Sequence, residues 1–305
     1  MIVIGFMKKS TLIATLSSIL TILILYTLID ASFVAPKKCM IRNELLSSNE
    51  IDEQLNDIKI TYFSDVEYGE FIDGIRLEKI TNIINSTNSD IVLFGGDLIG
   101  ESIILNNEQK DRIVEHLSNI KAPLGKFAVL GDNDCYNEQI KNDIENILIK
   151  ADFEILHNES LTIRNKDAHG FNIIGVENGI NSNVSLDTAY ENISANSYTL
   201  VFGHTPDVAL DLNEEKTDYY ISGHSHGGQM NFLFYSLYHP ENTNIFFRGK
   251  KNYNENFIVD VSSGVGTTKK DIRLGANAEI VLFTLQHEEI EEVPITIQDL
   301  TEAND

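Results

Sequence analysis

Aspartate and histidine recur at several points of the chain, in most cases beside glycine and each time after a short apolar run. Together these two residue types suit borderline divalent metals such as Mn, Fe or Zn. A neighbouring glycine lets the backbone turn sharply and approach a bound ion closely. One such segment is usually only a turn, but five in succession predict a metal site. The five are Phe63-Ser64-Asp65, Gly95-Gly96-Asp97, Gly131-Asp132-Asn133-Asp134, Phe202-Gly203-His204 and Gly223-His224-Ser225-His226-Gly227-Gly228.

The apolar runs before the aspartates alternate with stretches in which apolar residues recur at helical spacing. This βαβαβα order predicts a largely parallel sheet with helices covering it. Because ligands bind in the crevice at the carboxyl ends of parallel strands, we expect the aspartates to converge there. The predicted strands are 58–63, 91–94 and 127–130, and the predicted helices are 75–84, 112–120 and 140–149.

Past residue 150 the chain changes to short strands separated by loops, which predicts a second sheet packed on the first. The two histidine segments follow predicted strands of this second group, at 199–202 and 219–222. The expected fold class is α/β, with two packed mixed β-sheets flanked by helices. The other predicted strands of this half are 153–156, 161–163, 171–176, 257–261 and 279–285.

The charge balance excludes one class of partner. The chain has 46 acidic residues against 23 basic ones, a formal net charge of −23. A field of that sign repels the phosphate backbone, so no wrapping of nucleic acid is expected. Hydrophobic residues make up 42% of the chain, which is enough to bury a core and excludes global disorder.

The amino terminus predicts a membrane anchor. Residues 10–29 carry no charge, and twenty residues of helix reach about 30 Å, the thickness of the hydrocarbon core. Lys8 and Lys9 favour a cytoplasmic amino terminus, whereas basic residues beyond the segment favour the opposite orientation. We expect a single-pass protein of the cell membrane with its main domain outside the cytoplasm. The small residues at 31–35 leave cleavage by a signal peptidase open.

The chain therefore divides into four predicted parts. A cytoplasmic stub and transmembrane helix occupy 1–30, and a polar linker with little apolar periodicity occupies 31–57. The domain that carries the aspartates and histidines spans 58–286. The remaining residues, 287–305, form an acidic C-terminal tail.

At its aspartates and histidines the chain resembles the calcineurin-like metallophosphoesterases, specifically their membrane-associated bacterial branch. The family pattern is Asp-X-His, Gly-Asp, Gly-Asn-His-Asp/Glu, a single His and Gly-His-X-His. The match runs from 58 to 285, and its closing stretch, with Gly264-Val265-Gly266, Arg273 and Ala278-Glu279-Ile280, is similar too. The resemblance implies a four-layer metallophosphoesterase-like fold. It also implies a metal-dependent phosphoric ester hydrolase, either a phosphodiesterase or a phosphomonoesterase.

The resemblance further implies two divalent metal ions and a metal-bridging hydroxide that attacks phosphorus in line. Position by position, Asp65, Glu67, Asp97 and His226 would hold one ion. Asp97 would also hold the other ion, together with Asp132, His204 and His224. The implied partner is a small phosphoester or phospholipid-like substrate, with the membrane reached through the N-terminal helix.

Three positions depart from the family pattern. Glu67 stands where the family has His, and Asp132 stands where it has Asn. Asn133 replaces the His often assigned to leaving-group protonation, so this catalytic position can donate a hydrogen bond but cannot deliver a proton. Four carboxylates shift the expected metal preference toward harder ions, so Mn is expected first, with Fe, Zn or Mg as alternatives.

Two other functions remain open from the sequence. Glu67 and Asn133 motivate a catalytically weak relative that binds metal as a sensor or binding protein. A metal-dependent amidohydrolase is disfavoured, because that group tends to place His-X-His after its first strand, whereas here the motif comes late.

Overall fold

The computed structural model describes residues 9–164, 170–232, 235–253 and 257–289. Most of the predicted acidic tail and the stub before residue 9 therefore lie outside the described residues. The α-helices in the described part are α1 (Lys9–Ile29), α2 (Gly74–Ser86), α3 (Asn107–Ser118), α4 (Glu138–Lys150) and α5 (Leu186–Ala189). The strands there are β1 (Cys39–Ser48), β2 (Lys59–Phe63), β3 (Ile91–Phe94), β4 (Gly125–Ala128), β5 (Glu154–Ile155), β6 (Glu159–Ile163), β7 (Phe171–Gly175), β8 (Thr199–Phe202), β9 (Tyr219–Ser222), β10 (Asn231–Phe232), β11 (Tyr235–Ser236), β12 (Gly249–Tyr253), β13 (Phe257–Val261) and β14 (Ala278–His287).

Twelve of these strands form two six-stranded mixed sheets. The first sheet has the order β1-β14-β2-β3-β4-β5, with β2 to β5 parallel and β14 antiparallel to β2. The second has the order β12-β13-β9-β8-β7-β6, with β13, β9, β8 and β7 parallel and antiparallel strands at both edges. The predicted fold class, two packed mixed sheets flanked by helices, is confirmed.

Apolar side chains fill three layers of core. Ile60 and Leu93 of the first sheet pack against Phe202 and Tyr219 of the second, so one cluster lies between the sheets. A second cluster joins the outer face of the first sheet to α2, α3 and α4, and a third covers the outer face of the second sheet. Every residue of β3 is apolar and buried, because helices cover one face of the strand and a sheet covers the other.

The segment 31–57 is more regular than its sequence indicates. It contains β1, which pairs in parallel with β14 at the edge of the first sheet. Most side chains of β1 are exposed or half-exposed, and Leu46 alone in this strand is buried. An edge strand with so little buried surface carries no apolar alternation, and its partner lies more than two hundred residues away. The sequence therefore contains no local sign of it.

A buried ion pair joins the two sheets. Arg42 of β1 donates two hydrogen bonds to Asp260 of β13, at 2.9 and 3.0 Å, and two to Glu279 of β14, at 3.2 and 3.3 Å. Tyr219 of β9 also donates to Asp260, at 2.7 Å. The carboxylate of Asp260 is fully buried, so its ionised form is stabilised only by these hydrogen-bond donors and not by water.

We predict that Arg42→Met lowers the free energy of unfolding by about 3 kcal/mol, because Asp260 is left buried and unpaired. Denaturant titration of the detergent-solubilised protein measures the change. Arg112→Met is the matched control. Its pair with Glu108 is exposed and is worth about 0–1 kcal/mol. Equal losses in the two variants would show that Arg42 does not join the sheets.

Candidate metal centre

The loops that follow β2, β3 and β9 are bonded to one another at one edge of the two sheets. The backbone N–H of Asp65 donates to Gly96 at 2.9 Å, and that of Glu67 donates to the carbonyl of Asp97 at 3.1 Å. From the second sheet, the backbone N–H of His224 donates to Oδ1 of Asp65 at 2.9 Å. The aspartate loops and a histidine loop therefore converge, as the strand order predicted.

The seven residues expected as metal ligands lie in two adjacent groups. Within each group every residue offers one ligand atom, and these atoms all lie within 4.8 Å of one another. Six of the seven residues are buried, and Asp132 is half-buried. One group is Asp97, Asp132, His204 and His224, and the other is Asp65, Glu67 and His226.

In the first group two histidines face one carboxylate. Oδ1 of Asp132 lies 3.0 Å from Nε2 of His204 and 3.1 Å from Nδ1 of His224. Nε2 of His204 also lies 3.3 Å from Oδ2 of Asp97. The far nitrogen of His204 lies 2.8 Å from the carbonyl of Gly95, which fixes the orientation of the ring.

In the second group one histidine faces two carboxylates. Nε2 of His226 lies 3.3 Å from Oε1 of Glu67 and 4.0 Å from Oδ1 of Asp65. Burial lowers the pKa of His226 to about 4, so the ring is the neutral imidazole that binds metal. Oδ2 of Asp65 accepts a hydrogen bond of 2.5 Å from Ser64, which orients that carboxylate.

Five of the seven residues have a left-handed backbone, which is uncommon outside glycine. Their φ angles are 57° for Asp65, 54° for Glu67, 56° for Asp97, 64° for His224 and 50° for His226. Such conformations cost free energy and persist only where the surrounding structure imposes them, typically at functional sites.

Glycine makes the close approach of the loops possible. Gly96 has a φ of 90°, and a Cβ at this position would collide with the backbone of Gly131. A Cβ on Gly131 would in turn collide with the carboxylate of Asp97. The loops after β3 and β4 can therefore touch only because both residues lack side chains.

The site concentrates negative charge away from water. Burial first, and then the charges of Asp97 and Asp65, raise the pKa of Glu67 well above its ordinary value. Burial also raises the pKa of Asp97, against the effect of His204. Burial would lower the pKa of His204, but Asp97 and Asp132 raise it well above the usual range. Cations placed between these groups would remove the repulsion, so the residues present fit a pair of divalent ions.

Asn133 connects the two groups. Its backbone N–H donates to Oδ1 of Asp97 at 3.0 Å, and its side-chain amide donates to Oδ2 of Asp97, also at 3.0 Å. The same amide lies 3.3 Å from Oε2 of Glu67. Its donor capacity is therefore directed at the carboxylates of both groups.

Asp134 holds the site together, although the sequence analysis assigned it no role. It is fully buried, and its two oxygens accept from the backbone N–H groups of Leu98, at 2.9 Å, and Gly131, at 3.0 Å. It thereby ties the loop that carries Asp97 to the loop that carries Asp132. Its position beside Asn133 in the third segment is the one signal that could have identified it.

A buried arginine braces the opposite side of the site. The guanidinium of Arg273 donates to the carbonyls of Ser263 at 2.8 Å, Gly264 at 3.1 Å and Gly266. The backbone N–H of Gly266 then donates to the carbonyl of Asp65 at 2.7 Å. Arg273 therefore fixes the loop against which Asp65 rests.

A cleft with a volume of about 360 Å³ opens onto the first group. Asp97, Asp132 and His224 lie at its floor. The ring of Tyr238 packs 5.6 Å from that of His226, and Nζ of Lys269 lies 5.4 Å from the centre of the Tyr238 ring. The sequence did not indicate the residues of the cleft wall, because they lie in loops without periodicity. They include Glu101, Tyr136, Ile180, Asn181, Tyr238, Pro240, Glu241, Thr268 and Lys269.

Comparison with known proteins indicates the family that the metal-binding motifs resemble. The family model for the calcineurin-like phosphoesterases matches residues 58–228. The metallophosphoesterase YkuE of Bacillus subtilis is 24% identical over 259 residues, which cover 84% of this chain and 88% of that protein. A metallophosphoesterase of Aquifex aeolicus is 27% identical over 271 residues, 86% of this chain and 95% of that protein.

Two proteins of Danio rerio are also similar. One, named a transmembrane protein with a metallophosphoesterase domain, is 23% identical over 250 residues, 78% of this chain and 55% of that protein. The other is a dimetal phosphatase of known structure, with a TM-score of 0.38, 13% identity, and coverage of 69% of this chain and 88% of that chain. Because the family model matches more than half of the chain, the protein belongs to the calcineurin-like phosphoesterase family and is a hydrolase acting on phosphoesters.

Proposed function

We propose that the protein hydrolyses a phosphoester with two divalent cations held by Asp65, Glu67, Asp97, Asp132, His204, His224 and His226. The observation that carries this proposal is the pair of adjacent, largely buried groups of metal-binding side chains, the first of which lines the cleft. Asp97 belongs to the first group and is connected to Glu67 of the second through the amide of Asn133. We propose Asp97 as the ligand that the two cations share.

The donor set supports manganese as the preferred metal. Four of the seven ligands are carboxylates, and carboxylate oxygens favour harder ions than imidazole does. When bound, two such ions would supply a nucleophilic hydroxide and neutralise the phosphate oxygens. Iron, zinc and magnesium are the alternatives that the same ligands can hold.

The chain's own residues would position the substrate. Lys269 places a cationic side chain at the wall of the cleft, where it can bind a phosphate oxygen. Asn133 would orient the carboxylates of both groups, and it has no proton to transfer to the leaving group at neutral pH. Among phosphoesters, those with good leaving groups would therefore lose least from the missing proton donor.

We propose that α1 anchors the protein in the cell membrane. The helix is long and apolar enough to cross a bilayer, and none of its residues is buried inside the protein. The domain from 58 to 286 would then lie outside the cytoplasm, as the basic residues at the amino terminus favour.

A metal-binding sensor remains the second candidate function, because Asn133 stands where the family has a proton donor.

We predict that Mn²⁺ stabilises the wild-type protein by about 3 kcal/mol at a hundredfold excess over its dissociation constant. Mn²⁺ should stabilise the Glu67→Gln variant severalfold less, because one ligand is lost. Without metal the same variant should be more stable than wild type at neutral pH. The pKa of Glu67 is higher in the folded state than its unfolded value of 4.5. Raising the pH above 4.5 therefore lowers the free energy of unfolding of wild type, and glutamine at this position removes that loss.

Thermal denaturation with chelator and after reloading measures both effects. Glu115→Gln on the exposed surface of α3 is the matched control and should change neither. If Mn²⁺ stabilises Glu67→Gln as much as it stabilises wild type, Glu67 is not a metal ligand.

The hydrolase proposal is tested by a rate series over phosphodiesters of graded leaving-group pKa, with chelated and metal-loaded protein. We predict metal-dependent turnover that falls steeply as the leaving group becomes less acidic. Asn133→His should raise the rate with poor leaving groups by up to roughly 10²–10⁴-fold, the usual contribution of a general acid.

Asn181→His is the control for this series, because Asn181 also lines the cleft but its side-chain amide donates to the backbone carbonyl of Asp132 and not to a carboxylate. A wild-type slope as shallow as that of Asn133→His would contradict the missing proton donor. If no fully metal-loaded variant turns over any ester, the sensor replaces the hydrolase.

A further inference from the structure

Three large apolar side chains lie on the surface beside the catalytic cleft. Phe232, Tyr235 and Leu237 are 67%, 70% and 65% exposed, and they belong to or directly follow the pair formed by β10 and β11. Phe232 and Tyr235 face each other in the register, and Leu237 lies two residues further on. Because side chains alternate along a strand, all three lie on one face. We call β10, β11 and the three apolar side chains Phe232, Tyr235 and Leu237 the apolar strand pair.

The apolar strand pair is attached to the end of the N-terminal helix. The carbonyl of Ala31, just beyond α1, accepts from the backbone N–H of Arg273 at 3.0 Å. The next residue, Leu274, accepts from the backbone N–H of Asn231 at 2.7 Å. Asn231 begins β10, so two backbone hydrogen bonds connect the end of the helix to the base of the strand pair.

Basic side chains surround the same place. Lys37 and Lys38 are exposed just after the helix, and Lys37 shares a shallow cleft of about 250 Å³ with Arg76 and Lys79. Arg76 donates to the carbonyl of Pro36, which fixes the segment after the helix to α2. Asp73 lines the same cleft and Asp271 pairs with Arg76 at 2.9 Å, so the local excess of cations comes from the exposed Lys37, Lys38 and Lys79. In a chain of net charge −23, this excess complements anionic lipid headgroups.

The catalytic cleft opens next to this region. Lys269 lines the cleft and lies four residues before Arg273 in the chain. Tyr238 directly follows Leu237 and packs on His226. Two short segments, 269–273 and 237–238, therefore connect the cleft wall to the end of the helix and to the apolar strand pair.

We propose that the apolar strand pair lies in the interfacial layer of the bilayer and that the cleft receives the phosphoester headgroup of a membrane lipid. Aromatic side chains favour this layer, and the acyl chains of the substrate would remain in the bilayer. Hydrolysis breaks one P–O bond, with the water oxygen going to phosphorus and its proton to the released alcohol. The inference rests on the anchor and the hydrolase activity proposed above.

The position of the strand pair can be measured without any activity, because the chain has no tryptophan. Phe232→Trp in the full-length protein is reconstituted into phosphatidylcholine–phosphatidylglycerol vesicles whose acyl chains carry bromine. We expect its emission to be quenched severalfold more than that of Ile149→Trp. Ile149 is 61% exposed on α4, which packs on β5 at the sheet edge opposite β1. Equal quenching of the two variants would overturn the proposal.

The substrate class is tested with two esters that share a leaving group. One is soluble methyl 4-nitrophenyl phosphate, and the other is the 4-nitrophenyl phosphodiester of diacylglycerol in the same vesicles. The double variant Phe232→Ser, Leu237→Ser should lower turnover of the lipid ester roughly tenfold, because two apolar contacts with the bilayer are lost. Its turnover of the soluble ester should remain that of wild type, and Ile149→Ser should change neither rate.

The two proposals fail in different ways. If wild type cleaves the soluble ester but not the lipid ester, the lipid substrate is wrong and the hydrolase stands. If wild type cleaves neither ester when fully metal-loaded, the hydrolase is wrong and the lipid substrate falls with it. The quenching result decides the position of the strand pair in either case.

Discussion

The repulsion among four carboxylates in one buried corner is the constraint on which the rest of this structure depends. Asp65, Glu67, Asp97 and Asp132 lie in the two adjacent groups, and Asp97 and Asp132 line the cleft. Burial raises the pKa of Glu67 and Asp97, so the metal-free site resists full ionisation. Such an arrangement is maintained only where the surrounding chain imposes it and where cations can neutralise it.

The chain imposes this arrangement through its backbone more than through its core. Five of the seven proposed ligands have left-handed backbone conformations, and two glycines allow the loops after β3 and β4 to touch. Asp134 bonds two of the loops to each other, and Arg273 braces a third. Neither residue is one of the seven proposed ligands, yet each fixes the backbone beside one. The sheets supply the frame, since the two groups of proposed ligands draw on loops from both of them.

The sequence predicted the parts of this molecule that follow from local pattern. Buried strands such as β3 read as apolar runs, and the residues after them carry the aspartates, so their convergence followed from the parallel order of the strands. The edge strand β1 could not be predicted, because it buries little and pairs with a strand at the far end of the chain. The walls of the cleft were missed for a related reason. Tyr238 and Asn181 lie in loops whose positions depend on contacts distant in sequence.

The central claim is that this corner holds two cations with Asp97 between them. Anomalous scattering from crystals of the manganese-loaded protein tests it most directly. The account predicts two peaks about 3.5–4 Å apart, the spacing of two-metal sites, with Asp97 in contact with both. One peak should be bounded by Asp132, His204 and His224, and the other by Asp65, Glu67 and His226. A single peak, or two peaks with Asp97 bound to neither, would contradict the account.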